Sequence, residues 1–264
     1  MEFKSLFNSM YVWAILLLLL TAGLASKTLG ILPTNLFVAI IVCAGLDILL
    51  KKFYLKRTEI KFPFSAVVTG IIIGSIISFN APITVILLAS IVAILSKFFI
   101  RLKGMHIFNP ATLGLLVALA IFSLADEWWA AIGFNAFGVA LPVTIILILA
   151  CYKSAKLKIA LPFLAVVALL YHFSGLVPIS SFTAAGLLTF IGVLPFYFAF
   201  IMLSEPKTSP YSANQQIVFG VLLAGLLFAA EFSRIPYSFF ATLLIGNLGY
   251  SIYRNYIFKP APQP

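Results

Sequence analysis

Ten long apolar runs follow one another along the chain, and the basic residues collect at every second gap between them. The runs extend over about 10–25, 32–50, 62–79, 83–99, 110–124, 130–152, 159–172, 183–203, 215–231 and 237–253. A helix needs about 20 mostly apolar residues to cross a bilayer, and continuous runs of this kind favour helices over the alternating strands of a membrane barrel. With residue 1 placed inside, fifteen of the seventeen lysines and arginines fall on the inner side; only Lys27 and Arg234 fall outside. Cytoplasmic loops of membrane proteins carry such an excess. Moving the count by one run would scatter the charges over both faces, so the asymmetry also supports the number of crossings.

The expected fold class is therefore an all-α polytopic membrane protein of about ten transmembrane helices. It would sit in the cytoplasmic membrane with both termini cytosolic. Only 9% of the 264 residues are charged, against roughly 25% in soluble domains, so no water-facing surface of ordinary kind can be built. The net charge of +10 is accounted for by helix ends that orient the chain and meet anionic lipid; the partner it implies is the bilayer, not nucleic acid. Cys43 and Cys151 have no second cysteine or histidine near them, and they read as small buried residues rather than a disulfide or zinc site. The first run, "MYVWAILLLLLTAGLA", reads as a retained helix rather than a cleaved leader. Trp128 and Trp129 are expected at the outer interface and Trp13, Tyr152 and Tyr253 at the inner one, as an aromatic belt.

Ten spans with both ends inside divide into five plus five, and a five-span half must insert the second time upside down. The expectation is one integral membrane domain over 1–264: a first repeat over about 1–128, a second over about 129–257, and a short tail over 258–264. The openings of the third and eighth spans ("PFSAVVTGIIIG" and "SSFTAAGLLTFIG") share small and hydroxyl residues. So do those of the fifth and tenth ("IFNPATLGLL" and "RIPYSFFATLL"). Gly70, Gly74, Thr69 and Ala185 would let backbones approach closely. The fifth and seventh spans are short for a bilayer, as in broken or partly entered helices.

Two segments stand out chemically. In "HIFNPATLG", His106–Gly114, Pro110 suits the first turn of a helix and Asn109 can cap it; backbone N–H groups at such an end attract anions. Capping alone also accounts for these residues, and His106 reads as a solvated interfacial histidine. In "SEPKTSP", Ser204–Pro210, two prolines stiffen a turn, and Ser204, Thr208 and Ser209 offer hydroxyls for a phosphate or for backbone ends. A charge at mid-bilayer costs at least ~2.5–3.5 kcal/mol, which puts Glu205 and Lys207 at the inner interface or against a wet cavity. Asp47 reads as reaching the inner interface beside Lys51.

Together, "FNPA", the pattern Ser/Thr, Asp/Glu, Pro, any residue, Thr, Ser/Ala, Pro, and the run "FGVLLAGL" that follows it resemble one family. It contains the D subunit of the Rnf electron-transport complex and the B subunit of the sodium-pumping NADH:quinone oxidoreductase. The resemblance implies a ten-helix inverted repeat similar to the urea-transporter scaffold and a place among membrane, iron–sulfur and flavoprotein subunits. It also implies electron transfer coupled to ion movement, and FMN linked through its phosphate to a threonine in "Ser-Gly-Ala-Thr" on the outer face. Here that place reads Ser174, Gly175, Leu176, Val177, and valine has no hydroxyl to esterify. Loss of flavin or non-covalent binding is expected ahead of relocation to Thr183, Ser180 or Ser181. Under this resemblance the cofactor-binding residues are Ser174, Gly175 and Thr183 outside, and Asn109, Glu205 and Thr208 inside, with no metal ligands.

The function expected is that of a membrane subunit of a redox-driven ion-translocating complex, at most one subunit of a translocase. The alternatives are a small-solute channel or transporter on the same scaffold, and a structural subunit without redox chemistry.

Overall fold

The computed structural model describes residues 10–59, 61–130, 144–149, 151–152, 154–175, 186, 190 and 192–257. It is a helical bundle. Helices α1 (Met10–Leu29), α2 (Thr34–Leu49), α3 (Phe64–Ile76) and α4 (Ile83–Phe99) lead to a two-strand hairpin, β1 (Arg101–Leu102) and β2 (Met105–His106), and then to α5 (Pro110–Phe122). After them come α6 (Leu157–Ser174), α7 (Ala213–Phe232) and α8 (Ser238–Ile252). Single π-turns lie at Leu50–Tyr54, Phe198–Met202 and Tyr253–Ile257. Eight of the ten expected spans thus coincide with helices. The sixth is described only in part, over 144–149 and 151–152, and most of the eighth lies outside the described residues.

Three helical stretches, Tyr11–Leu29, Leu157–Ser174 and Ala213–Phe232, are long and apolar enough to cross a membrane. The seventh span is therefore not short: the run extends through Leu157 and Lys158 at its start to Ser174, 18 residues, about 27 Å at 1.5 Å per residue. The short helices are α3 and α5, 13 residues each. At Gly74 the first of these meets α2. An added Cβ there would lie 2.4 Å from Leu36 Cα, so α3 and α2 pack backbone to backbone.

Beyond α3 the chain turns extended at Ile77, and its freed carbonyls find partners at once. Trp129 Nε1 donates to Gly74 O at 2.7 Å, and the amides of Glu127 and Trp128 donate to Ile76 O. The Asn35 amide donates to Ser78, Phe79 and Ala81 carbonyls at 3.0–3.2 Å. Irregular backbone at this depth survives only when it is satisfied by protein in this way. These bonds correct the expected tryptophan belt. Trp129 is buried, and Trp128 stacks on Phe240 and meets Tyr197 and Phe239 edge-on. The Trp129 ring closes the end of a short helix, and the Trp128 ring packs among aromatic side chains.

Asp47 is also more enclosed than expected. Its carboxylate is fully buried and holds Lys97 of α4 at 2.9 Å as well as Lys51. It lies beside Lys51 as expected and also ties α2 to α4 through Lys97. Cys43 and Cys151 are buried and free.

Candidate functional site

The hairpin supplies the first site residue. Lys103 and Gly104, both with positive φ, form its two-residue turn, the geometry whose twist suits antiparallel strands. Arg101 pairs with His106 across it, which places the His106 ring beside the start of α5. There Asn109 caps α5: its Oδ1 accepts the Thr112 amide at 3.1 Å, and Pro110 follows at the first helical position. This is the local structure that "FNPAT" dictates.

The long-range partner of that cap is Asn247, in the middle of α8 and 1% exposed. Its Oδ1 accepts the Asn109 backbone amide at 2.9 Å, and its Nδ2 donates to the Thr208 carbonyl at 3.2 Å. Asn109 Nδ2 in turn donates to Met202 O at 3.3 Å. Two sequence-distant motifs are thereby tied together by one membrane amide. Thr208 Oγ1 donates to Glu205 Oε2 at 3.1 Å, and Glu205 Oε1 faces His106 Nε2 at 3.4 Å. His106 is 5% exposed; it is a buried partner of a carboxylate, not a solvated residue.

The hydroxyls of "SEPKTSP" are turned inward. Ser209 Oγ donates to Glu205 O at 2.6 Å, and Ser204 Oγ donates to Phe200 O. Protein groups thus take these hydroxyl protons, and also the Asn109 and Thr112 amides, which a phosphate would otherwise use. On the far side of the segment Lys156, 2% exposed, donates to the carbonyls of Ser209 (3.4 Å) and Pro210 and lies 4.6 Å over the Tyr211 ring. Burial pushes its ammonium down to about 8, while the carbonyls and the ring favour the charged form. Gln216 Nε2 donates to the carbonyls of Pro210, Tyr211 and Ala155, each at 3.2 Å.

This knot forms one wall of a cleft of about 720 Å³, counted out to its mouth. The other walls are Tyr11, Ala14 and Leu18 of α1 and Ser65, Thr69 and Ile72 of α3. Both helices contribute about two turns, so the cleft enters roughly 10 Å into the bundle. Asn109, Ser204, Glu205 and Lys207 edge it with polar groups. A carboxylate on such an edge can hold a cationic group.

Asn109, Glu205 and Thr208, expected on one side, are brought into a single network. Ser174 and Gly175 lie at the opposite end of α6 from Lys156, about 27 Å away, and do not join it. Ser174 Oγ donates to Tyr171 O at 3.3 Å, and Gly175, at φ +74°, caps the helix. Thr183, Val177, Ser180 and Ser181 lie outside the described residues. Three contributors escaped the sequence reading: Asn247, Lys156 and Gln216. Asn247 carries a usable signal, an amide inside an apolar run, where side-chain hydrogen bonds join helices. Lys156 is one of three lysines in "CYKSAKLK", and nothing in the sequence singles it out.

Comparison with the curated proteins returns no match. A family model described as the NQR2, RnfD, RnfE family matches residues 4–145. That span is just over half of the chain; it contains "HIFNPATLG" and ends before "SGLV" and "SEPKTSP". With a bundle of apolar helices around a buried polar knot at the "FNPA" cap, the chain is a multi-pass membrane protein and belongs to the NQR2, RnfD, RnfE family.

Proposed function

We propose that the protein is the membrane-embedded subunit of an Rnf/Nqr-type electron-transport complex, and that it binds flavin without the phosphoester of its relatives. The observation that carries this reading is the joining of "FNPA" to "SEPKTSP" through Asn247. The family model reaches only the first of these motifs, and the contact ties that matched region to the second.

The ten-span inverted repeat is supported by paired contacts. In the first half α2 packs on α3, α2 on α4 and α4 on α5. In the second, α6 packs on the Phe198–Met202 turn, α6 on α7 and α7 on α8. These are the same relations five spans later, and α5 meets α8 between the halves. The close approaches repeat as well: Gly114 of α5 meets Ala89 of α4, and Gly246 of α8 meets Leu223 of α7. The basic loops support a cytosolic position for the knot, the cleft and both termini, with Ser174 and Gly175 outside.

The residues at the outer position do not fit a covalent flavin, since Val177 offers no oxygen. When bound, flavin supplies the electron chemistry. The chain's own part is to hold it in a dry, oriented site, with Ser174, Gly175 and Thr183 on the outer side. On the inner side Asn109 and Glu205 form a polar wall of the cleft, with Thr208 behind it bonded to Glu205. Other subunits of iron–sulfur and flavoprotein type would deliver and remove electrons, and the coupled ion would move through the assembled complex.

The test is purification of the complex in mild detergent followed by acid precipitation. Flavin fluorescence in the supernatant, with none on the protein band, supports the reading. A flavin-free complex refutes the cofactor assignment. A chain that purifies alone, colourless, and equilibrates a neutral solute across vesicles refutes the electron-transport assignment.

A further inference from the structure

A second groove lies on the outside of the bundle, between the start of α7 and the end of α8. It measures about 830 Å³, counted out to its open side. Val218, Phe219 and Leu222 form one wall and Gly249 and Tyr250 the other. Gly249 leaves the floor bare: a Cβ added there would meet nothing within 4 Å. Val218 and Leu222 are more than half exposed, which in a bilayer means that they face acyl chains.

The head of the groove is polar; among the described residues no basic side chain lines it, and Arg254 borders it through the Tyr250 ring. Gln215 Nε2 donates to Tyr253 Oη at 3.5 Å across it. The Arg254 guanidinium lies 5.5 Å over the Tyr250 ring and donates to Lys207 O at 3.5 Å. Lys103 Nζ donates to Asn255 O at 2.8 Å and lies 5.3 Å over the Tyr256 ring. Two cations therefore gather at the end of α8, while no groove-lining residue is acidic. Basic pockets between membrane helices on the cytoplasmic side suit anionic lipid headgroups.

We infer that this groove is a binding site for one anionic phospholipid, its acyl chain against Val218, Leu222 and Gly249 and its phosphate beside Arg254. The inference rests on the membrane location of the chain and not on its redox role. It also gives Arg254 a task that the cleft on the other side of "SEPKTSP" does not require.

The experiment is native mass spectrometry of the detergent-purified protein offered equal amounts of phosphatidylglycerol and phosphatidylcholine. The expected result is one tightly retained phosphatidylglycerol per chain. Arg254→Gln should lower its affinity about fivefold, the effect of one basic residue near an anionic surface. Gly249→Leu, which fills the groove, should abolish retention. Gly225→Leu, at an exposed glycine that likewise meets nothing within 4 Å but lies outside the groove, should leave it unchanged. Equal retention of both lipids overturns the inference, as does retention insensitive to Arg254→Gln and Gly249→Leu. Photo-cross-links from position 222 that reach a neighbouring polypeptide or a quinone, with no lipid retained, overturn it as well. Flavin content is unaffected by any of these outcomes, so failure here leaves the proposed function standing.

Discussion

Replacing Asn247 by alanine removes both hydrogen bonds that lock α8 to the two motifs. The change leaves the Asn109 amide and the Thr208 carbonyl without their partner, in a region where Asn109, Thr208 and Asn247 are at most 3% exposed. An orphaned buried polar group costs about 1–3 kcal/mol, so two cost about 2–6 kcal/mol together. Asn109 borders the cleft, from which water can restore part of the loss, so the lower half of that range, about 2–4 kcal/mol, is expected. The assay is denaturant unfolding of the purified protein in detergent. Asn247→Leu separates polarity from packing: it refills the volume but leaves both groups unpaired, and it should be as damaging as alanine. A loss below about 1 kcal/mol for Asn247→Ala, or recovery of wild-type stability with leucine, would refute the bridging role.

Three further outcomes follow from the same structure. Gly114→Ala should destabilise by about 1–3 kcal/mol, because its Cβ would lie 2.2 Å from Ala89 O, and Gly220→Ala should do the same against Ile159 O at 2.4 Å. Gly23→Ala, which meets nothing, should be neutral or stabilising in the same unfolding measurement. Lys156, pushed down to about 8 by burial, binds its proton less tightly folded than unfolded. Between pH 8 and the ordinary lysine value the unfolded chain holds more protons, so wild-type stability relative to Lys156→Met should rise with pH in that window; a relative fall contradicts the burial. Finally, Val177→Thr, expressed with a flavin-transferring enzyme, should yield a fluorescent protein band that the parent lacks. Thr183→Ala should leave flavin bound, weakened at most, because Ser174 and Gly175 remain; its complete loss would make Thr183 the attachment site.

The spans were legible in the chain because each depends on a local quantity. A run of apolar residues cannot stay in water, and a lysine cannot stay in hydrocarbon, wherever the rest of the protein lies. The cap of α5 was legible for the same reason: Asn109, Pro110 and the Thr112 amide are neighbours in sequence. The errors arose where a side chain's surroundings come from elsewhere. "DEWW" reads as an interfacial belt, yet Trp129 closes the end of α3, more than fifty residues earlier. His106 reads as solvated, yet Glu205 sits against it from ninety-nine positions away.

Sequence by itself determined that this chain is a helical membrane protein and where most of its helices begin, since hydropathy and helix capping act over a few residues. The tertiary structure alone decided that "FNPA" and "SEPKTSP" share one network through Asn247, that Lys156 is caged by carbonyls, and that a cleft opens beside Glu205. The physical reason is that a buried polar group must be satisfied, but its sequence does not say by whom. The partner is chosen only when packing at Gly74, Gly114 and Gly220 has brought the helices into contact.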